Sequence, residues 1–407
     1  MKKVKLIELP IDWKRGNGLQ KSDLEIDGEF KCILYGELFT KHKNVLIDND
    51  KLSRTNKIGS VKSIAGDILV PGTSTAVKRD MILAREIDEE GVFLGGDINI
   101  IRPQKDLFAK KFAAYYFETT DAYEQLEGYI NGATGIIHIS NTGLKNLEIP
   151  LPSISEQQRI VSILDEAFAA IAKVKANAEQ NLRDAKQLFE SYLRGVFENE
   201  LHGSKFDTLD SISELIVDCE HKTAPTQETG YPSIRTPNIG RGVLILEGVN
   251  RVSEKTYTEW TRRAIPQADD LILAREAPAG NIAVIPENVK VCLGQRTVLI
   301  RPKKNKIISK FLAHLILSKD VQGQLLSHST GATVEHINMK DIRAFKIYNL
   351  PPLTEQQTIV QNLEALLTET KKLEAIYQQK INDLEELKKS VLQKAFRGEL
   401  KTATVLA

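Results

Sequence analysis

The feature that most constrains this chain is an internal repeat. When residues 151–201 are placed over residues 350–400, at a constant offset of 199, the two segments are identical at 18 of 51 positions without a gap. Self-similarity of this extent marks a duplication and fixes the architecture before any single motif does. The chain is therefore predicted to fold as two related halves.

Each copy of the repeat opens with the signature of a helix start. Ser155 and Thr354 are the predicted N-caps, because a glutamine follows each at the capping-box spacing. The first glutamate after each cap places negative charge on the first turn, where the helix dipole favours it. The triplets after the caps are Glu156, Gln157 and Gln158 in the first copy and Glu355, Gln356 and Gln357 in the second.

The residues after each opening form an apolar seam, which includes Leu164, Val174 and Tyr192 in the first copy and Leu363 and Leu373 in the second. Steps of four and three residues alternate along it, as in a coiled coil, with one extra step of four before Leu182 and before Ile381. A helix from Ser155 to Leu201 would be about 70 Å long. Such a helix with a narrow apolar stripe needs a partner stripe, and its own duplicate is the simplest partner. The alternative, an ordinary helical hairpin inside a globular core, fits this length poorly.

The segments before the two helices repeat more faintly, which predicts two domains on one scaffold. Gly-Ala-Thr recurs at Gly132 and Gly331, and the clearest anchors are Asp67 and Asp270, followed by Ile101-Arg102-Pro103 and Ile300-Arg301-Pro302. In each half we expect short strands, one helix near 112–127 or 308–326, and a last strand. The predicted fold is α+β: domains at 1–150 and 203–350, with helices at 151–202 and 351–407.

Composition and motifs exclude several functions. The net charge is +1, and no apolar run approaches the roughly 20 residues that cross a bilayer. Three scattered cysteines form no framework, which favours a reducing, cytoplasmic location. The segment Gly16–Ser22 lacks the glycine that a phosphate loop needs before its lysine. The segment Asp218–Thr223 has three interpretations: a catalytic or metal site, a packed cysteine in a polar loop, or a loop that contacts DNA.

Duplicated halves that each end in Leu-Pro-x-x-[Ser/Thr]-Glu-Gln-Gln-x-Ile-Val, with a long helix closing in Phe-x-x-Glu-Leu, resemble one family. The chain looks like the specificity subunit of type I restriction-modification systems. The resemblance spans essentially the whole chain and includes the strand entry at Gly66, the Gly-Ala-Thr loops and both helix openings. The segment Asp218–Thr223, with the stretch after Gly230, is also similar to some target recognition domains of that family.

The resemblance implies a non-catalytic subunit that binds double-stranded DNA. Each globular half would be a target recognition domain that reads one part of a bipartite, asymmetric target. The long helices would pair antiparallel as spacers, giving a pseudo-two-fold molecule, and would dock two DNA-methyltransferase subunits through their Glu-Gln-Gln openings. Restriction and translocase subunits would join that core. No cofactor is implied in this chain, whereas S-adenosylmethionine, ATP and magnesium would belong to the partners.

The candidates for DNA contact follow from the side chains that read base edges and phosphates. In the first domain they are Tyr35, Thr40, Lys41, Lys43, Lys78 and Arg79, and in the second they are His221, Lys222, Arg235, Thr236, Asn238, Arg241 and Arg275. Each of them could equally be an ordinary solvent-exposed residue.

Two other functions remain open from the sequence. One is a coiled-coil scaffold with two heads that bind peptides or glycans. The other is a specificity subunit that serves a modification-only methyltransferase. The neighbouring genes would separate these interpretations.

Overall fold

The computed structural model describes residues 1–75, 82–132, 136–198, 205–276, 279–326 and 336–400. It divides into two units, one formed by residues 1–179 with the chain from Gln379 onward, and the other by residues 180–378. We call the globular part of the first unit the first domain and that of the second unit the second domain. Each unit also contains part of both long helices.

The strands of the first domain are β1 (Lys3–Lys5), β2 (Ile11–Arg15), β3 (Phe30–Ile33), β4 (Ser53–Thr55), β5 (Asp67–Pro71), β6 (Thr73–Ser74), β7 (Arg85–Ile87), β8 (Phe93–Leu94), β9 (Ile98–Pro103), β10 (Ile137–His138) and β11 (Glu148–Pro150). Its helices are α1 (Glu37–Thr40), α2 (Phe112–Phe117), α3 (Thr120–Leu126) and α4 (Asn141–Leu144). The central helix, α5, is Ile154–Phe197.

The strands of the second domain are β12 (Phe206–Thr208), β13 (Ser213–Asp218), β14 (Tyr231–Ile234), β15 (Arg251–Val252), β16 (Leu271–Ala274), β17 (Ile282–Val284), β18 (Cys292–Leu293), β19 (Thr297–Pro302) and β20 (Lys346–Tyr348). Its helices are α6 (Leu209–Ile212), α7 (Glu254–Trp260), α8 (Ser309–Leu317), α9 (Lys319–Leu326) and α10 (Met339–Ala344). The C-terminal helix, α11, is Leu353–Arg397.

The two domains have the same sheet topology. The antiparallel four-stranded sheet has the order β2-β9-β5-β7 in the first domain and β13-β19-β16-β17 in the second. The three-stranded sheet, β4-β3-β8 or β15-β14-β18, has one antiparallel and one parallel pair in each domain. This topology confirms the predicted α+β fold and extends the duplication to the globular parts.

The repeated aspartate and arginine hold two strands of each four-stranded sheet together. Arg102 donates two hydrogen bonds of 2.7 Å to Asp67, which is fully buried. Arg301 contacts Asp270 in the same way, at 2.8 and 2.7 Å. A buried carboxylate is stable when an arginine engages both of its oxygens, and its removal is then costly. The sequence repeat at these positions therefore reflects a shared structural ion pair.

The helix that the sequence predicts in each domain is in fact two helices. In the first domain, the hydroxyl of Thr119 accepts a hydrogen bond from the N–H of Ala122 and starts α3 directly after α2. In the second domain, the backbone leaves the helical region at Ser318, between α8 and α9. The prediction of a single helix was wrong because Thr119 and Ser318 form local caps and bends within an otherwise continuous apolar pattern.

The predicted N-caps are also wrong, by two residues. Both long helices begin earlier, at Ile154 and Leu353, so that Ser155 and Thr354 lie inside the first turn. The hydroxyl of Ser153 accepts the N–H of Glu156 at 3.4 Å. In the second copy a proline takes the place of this serine and offers no side-chain oxygen as a cap.

Within each unit, the long helices pack antiparallel. In the first unit, Leu164 near the start of the central helix shares a core with Leu392 and Phe396 near the end of the C-terminal helix. In the second unit, Leu363 shares a core with Phe197, so that again the start of one helix meets the end of the other. The predicted antiparallel pairing is confirmed.

The closing phenylalanine of each long helix packs on a domain. The ring of Phe396 lies 5.1 Å from that of Phe112 in the first domain, and the ring of Phe197 lies 5.3 Å from that of Phe311 in the second. Burying such a ring contributes about 2–3 kcal/mol. At this end of the central helix Leu193 and Phe197 are buried, whereas Tyr192 of the predicted seam is exposed.

Two further seam predictions fail in the middle of the helices, where Val174 and Leu373 are exposed. None of the helices in the part of the chain described here is both long enough and apolar enough to cross a membrane.

Candidate nucleic-acid interface

One end of each four-stranded sheet brings three strand ends together. In the first domain these are the end of β2, the end of β5 and the start of β9, and in the second they are the end of β13, the end of β16 and the start of β19. We call the residues at these ends the strand-end surface. The same backbone geometry forms it in both domains, so that each position in one domain has a counterpart in the other.

Asp97 and Arg296 are counterparts on this surface. Each directly precedes the first residue of β9 or β19, and their backbone φ angles are 60° and 66°. The carbonyl of Asp97 accepts the N–H of Gly72 at 2.6 Å, and that of Arg296 accepts the N–H of Arg275 at 2.9 Å. The two side chains thus leave equivalent backbone positions with opposite charges.

The neighbouring strand reverses the charge as well. Arg15 lies opposite Asn99 in the first domain, and Asp218 lies opposite Val298 in the second. Asn99 and Val298 are separated by the repeat offset, so Arg15 and Asp218 are also counterparts. In the first domain, Arg15 donates to Asp97 at 2.6 Å, and both side chains remain about half exposed.

In the second domain the strand-end surface carries a longer polar network. Glu276 contacts the Nε of Arg296 at 2.9 Å and the Nδ1 of His336 at 2.7 Å. Arg275 donates to the Nε2 of His336 at 2.9 Å and to Asp218 at 2.7 Å. Because an arginine donates to Nε2, the proton of a neutral His336 ring belongs on Nδ1, where Glu276 accepts it. The network holds Glu276 in place beside Arg296.

This network contradicts the prediction that Arg275 contacts DNA. Its side chain is 92% buried and also donates to the carbonyl of Ile337 at 2.9 Å. In the first domain, Asn99 donates to the equivalent carbonyl, that of Ile139, at 3.0 Å. A buried carbonyl needs a donor, which is a residue of β9 in the first domain and the residue that directly follows β16 in the second. Arg275 is a structural residue.

In the first domain, the predicted Tyr35 and Thr40 lie on one surface. Both line a hollow of about 740 Å³, and Asp97 and Lys21 line it too. Backbone atoms place the loop there, because the N–H of Gly95 donates to the carbonyl of Ile33 at 2.9 Å. The structure therefore brings part of the predicted set together with the strand-end surface.

The other predicted residues of the first domain are placed differently. Lys41 is half buried and donates to the hydroxyl of Ser53 at 2.8 Å. Lys43 is exposed but lines a separate hollow, together with Asp165 and Glu385 of the long helices. Lys78 and Arg79 lie outside the described residues.

In the second domain, the loop after β14 takes the place of the Tyr35 loop. The N–H of Gly294 donates to the carbonyl of Ile234 at 2.7 Å, which sets this loop beside the start of β19. Arg235 is exposed, and its N–H donates to the side-chain oxygen of Asn238 at 3.1 Å. Thr236 is buried, so its prediction as a DNA contact is wrong.

Arg241 is engaged with the central helix rather than with the Arg235 loop. It donates to both carboxylate oxygens of Glu190, each at 3.0 Å, and to the carbonyl of Leu317. Its side chain keeps 45% exposure. This geometry makes Arg241 a brace between the second domain and the helix of the same unit.

The segment Asp218–Thr223 combines a buried cysteine with an exposed loop. Cys219 is buried, and burial raises the pKa of its thiol, which keeps it protonated and unreactive. His221 and Lys222 are exposed, with His221 3.2 Å from Asp218. Among the described residues, no group of three or more His, Cys, Asp and Glu side chains could hold a metal ion. The segment therefore has the geometry of a polar loop over a packed cysteine.

The two helix openings contain one buried glutamine each. Gln157 accepts the N–H of Ala109 at 2.8 Å and donates to the carbonyl of Pro152 at 3.0 Å. Gln356 accepts the N–H of Ile308 at 2.9 Å and donates to the carbonyl of Pro351 at 2.8 Å. These side chains are at most 1% exposed, so the prediction that they dock a partner is wrong. They clamp each helix start to the domain that precedes it.

The rest of each opening is accessible. Glu156 is partly exposed and forms two hydrogen bonds with Arg159, at 2.8 and 2.7 Å. The remaining opening residues are all exposed: Ser155, Gln158, Thr354, Glu355 and Gln357.

The sequence patterns did not indicate five residues of the strand-end surface: Arg15, Asp97, Glu276, Arg296 and His336. A signal for Asp97 and Arg296 was present, because repeated residues flank both positions while the charge between them reverses. Glu276 and His336 could not be found in this way, because their roles depend on which loops the fold brings together.

Comparison with known proteins agrees with this architecture. The family model of the type I restriction modification DNA specificity domain matches residues 69–181 and 208–386, which is more than half of the chain. The chain belongs to this family. The second matched segment contains the whole four-stranded sheet of the second domain, whereas the first begins within β5 and leaves out β2. Each matched segment therefore falls within one half of the duplication.

Individual relatives agree with the family match. The specificity subunit of the type I restriction enzyme EcoBI from Escherichia coli is 26% identical over 332 residues, covering 74% of this chain and 68% of that protein. The putative MjaX specificity subunit of Methanocaldococcus jannaschii is 25% identical over 362 residues, covering 85% and 81%.

Two solved structures share the fold. A chain from a study of complex assembly and conformational transition in the type I R-M system has a TM-score of 0.75, at 18% identity and 98% coverage of both chains. The HsdS subunit from Thermoanaerobacter tengcongensis has a TM-score of 0.60, at 18% identity and 98% and 97% coverage.

Proposed function

We propose that this chain is the DNA-reading, non-catalytic subunit of a type I restriction-modification complex, and that each domain reads one half of a bipartite, asymmetric target. The observation that carries the proposal is the strand-end surface. The two domains share its backbone geometry, yet Asp97 of one corresponds to Arg296 of the other. Different donors and acceptors at one scaffold position fit two different base sequences.

The loops after β3 and β14, which we call the reading loops, also support the proposal that the two domains read different bases. Tyr35 and Thr40 follow β3 in the first domain, whereas Arg235 and Asn238 follow β14 in the second. Arginine pairs best with guanine and asparagine with adenine, and the loop of the first domain offers neither side chain at these places. The retained candidates in the second domain also include the exposed His221 and Lys222.

The chain's near-zero net charge fits a shared interface with DNA. Phosphate contacts supply most of the sequence-independent affinity, and a chain of net charge +1 offers few beyond local basic groups. We infer that the methyltransferase and restriction subunits supply much of the phosphate contact and all of the catalysis.

The exposed residues of the helix openings are the proposed docking sites for two methyltransferase subunits. Glu355 and Gln357 are identical to Glu156 and Gln158 of the first opening, and both are exposed. The intramolecular contact of Glu156 is not repeated, because Thr358 replaces the arginine that binds Glu156. Identity at exposed positions that share no hydrogen bond or ion pair within the described parts of the chain fits a common partner. Ser155 and Thr354 lie on the same first turns.

Methylome sequencing of a strain that carries this chain and its methyltransferase tests the DNA-reading proposal. The expected result is one motif with two different halves separated by an unread spacer. A continuous palindrome would contradict it. The purified chain alone is expected to transfer no methyl group from S-adenosylmethionine, and methyl transfer by that preparation would refute the non-catalytic assignment.

Co-purification tests the docking proposal. Gln158→Arg combined with Gln357→Arg is expected to reduce recovery of the methyltransferase at least tenfold, because both openings would carry an unmatched charge. Gln187→Arg combined with Gln379→Arg places the same charges further along the helices as a control. Equal recovery with both double variants would show that the openings do not dock the partner.

A further inference from the structure

We propose that Asp97 and Arg296 are the specificity-determining residues at one equivalent base-reading position in the two domains, with Arg296 selecting guanine and Asp97 selecting cytosine. This inference rests on the proposed DNA-reading function. It assigns base contacts to two residues that lie outside the loops singled out from the sequence.

The equivalence of the two positions is geometric. Asp97 directly precedes β9, and Arg296 directly precedes the corresponding strand β19. Both residues have a left-handed backbone conformation. The carbonyl of each accepts the N–H of the residue that follows the end of the adjacent strand, Gly72 or Arg275. A side chain on such a backbone points in the same direction from each sheet. A difference between Asp97 and Arg296 is therefore a difference in chemistry at one place.

Both positions lie beside a predicted reading loop. In the first domain, Asp97 lines the same hollow as Tyr35 and Thr40. In the second domain, a Cβ at Gly294 would lie 2.5 Å from the Cγ of Arg235, so the Arg235 side chain covers the backbone two residues before Arg296. Each strand start and its reading loop thus form one continuous surface.

The side chains of Asp97 and Arg296 are accessible, and each forms an ion pair with a neighbouring side chain. Arg296 is 59% exposed and is contacted by Glu276, which His336 orients in turn. Asp97 is 44% exposed and is contacted by Arg15. A charged side chain fixed by a neighbour loses less conformational freedom when it binds a ligand. The positive charge of Arg15 also reduces the repulsion between Asp97 and DNA phosphates.

The base assignments follow from hydrogen-bond chemistry in the major groove. The guanidinium donates in parallel to O6 and N7 of guanine, whereas a carboxylate accepts from the N4 amino group of cytosine. A carboxylate placed against guanine would meet two acceptors, and a guanidinium placed against the cytosine amino group would meet a donor. The two domains would therefore exclude each other's base at this position.

Single substitutions test the inference in the chain co-expressed with its methyltransferase. Once the wild-type motif is known, methylation is measured on duplexes that carry every single-base change in that motif. Arg296→Ala is expected to lower discrimination about 10- to 100-fold at one guanine in one half-site. Asp97→Asn, which tolerates the positive φ, is expected to relax one cytosine in the other half-site.

Two further variants keep the outcome clear. Arg296→Lys keeps the charge but loses the paired donors, so the complex should still bind the DNA while guanine discrimination falls. Arg194→Ala is the matched control, because it removes another exposed arginine that pairs with an aspartate, Asp320, at 2.7 Å in the same unit. Arg194→Ala is expected to leave every position of the motif unchanged.

The outcomes separate this inference from the proposed function. A bipartite wild-type motif that Arg296→Ala and Asp97→Asn leave unchanged, in variants that melt like wild type, would overturn the inference alone. Relaxation of both half-sites by one substitution would also overturn it. Methylation by the wild-type complex without any sequence preference would overturn the proposed function itself.

Discussion

The first and second domains agree in the residues that hold their sheets and differ in the residues at the sheet ends. Asp67 and Arg102 form the same buried ion pair as Asp270 and Arg301. At the strand-end surface, by contrast, Asp97 corresponds to Arg296. The sheet interior is constrained by burial, whereas the exposed end is free to change its chemistry.

The comparison also shows that a shared contact need not use a shared residue. The carbonyls of Ile139 and Ile337 are both satisfied by a side chain, but the donor is Asn99 in the first domain and Arg275 in the second. The physical requirement, a donor for a buried carbonyl, is what the two domains share. Residue identity is retained where only one side chain meets the requirement, as for the two clamping glutamines, Gln157 and Gln356.

The largest expected effect concerns the shared helix packing. Leu164→Asp and Leu363→Asp each place a carboxylate at a position that is fully buried, and each should destabilise the chain by at least about 4 kcal/mol. The measurement is chemical denaturation. Ile376→Asp, at a residue that is 58% exposed on the C-terminal helix, is the control and should cost less than about 1 kcal/mol. Wild-type stability in either leucine variant would mean that its helix does not pack as described.

The next effect concerns the shared ion pair. Asp67→Asn and Asp270→Asn each leave a mostly buried arginine without its counter-charge and should each cost about 3 kcal/mol. Similar losses in both variants would support the equivalence of the two scaffolds. Asp210→Asn breaks an exposed pair with Arg343 and should cost less than about 1 kcal/mol. If only one of the two variants, Asp67→Asn or Asp270→Asn, lost stability, the two ion pairs would not be equivalent.

A smaller effect should occur in the first domain alone. Glu86 is buried, and burial raises its pKa to about 7, whereas the counterpart in the second domain is Val284. The folded state then holds the proton more tightly than the unfolded state, so stability falls as pH rises from about 4.5 to 7. Relative to Glu86→Gln, the wild type should lose up to about 3 kcal/mol between pH 4.5 and pH 8.

Urea denaturation at several pH values measures this difference. Glu124→Gln removes an exposed carboxyl of the same domain and serves as the control. Parallel pH dependences of the wild type and Glu86→Gln would show that Glu86 ionises in the folded state as easily as in the unfolded state.

The sequence predicted the architecture because the architecture is repeated. Long helices with an apolar seam need partners, and anchors such as Ile101-Arg102-Pro103 and Ile300-Arg301-Pro302 identified equivalent strands before any contact was known. The apolar pattern of the sequence did not predict two local interruptions of the domain helices. A threonine hydroxyl at Thr119 and a bend at Ser318 interrupt helices that have continuous apolar patterns.

The candidate site was harder to predict for a physical reason. Side-chain type indicates what a residue can contact, but burial and partners decide whether it does. Thr236 and Arg275 have side chains suited to DNA contact, but both are buried. The equivalence of Asp97 and Arg296 depends on their backbone positions at the strand ends, which only the fold defines. The network of Glu276 and His336 depends on loops that are 60 residues apart in the chain.

If each domain reads its own half-site, replacing the second domain with a copy of the first should change one half of the target. Residues 1–150 would take the place of residues 203–350, and Phe112 and Ala109 would then contact Phe197 and Gln356, as their counterparts Phe311 and Ile308 do in the wild type. The methylome of a strain that expresses this chimaera with the methyltransferase would be compared with that of the wild type. The expected motif contains the first domain's half-site twice, separated by the wild-type spacer. A motif that still contains two different halves would contradict this expectation.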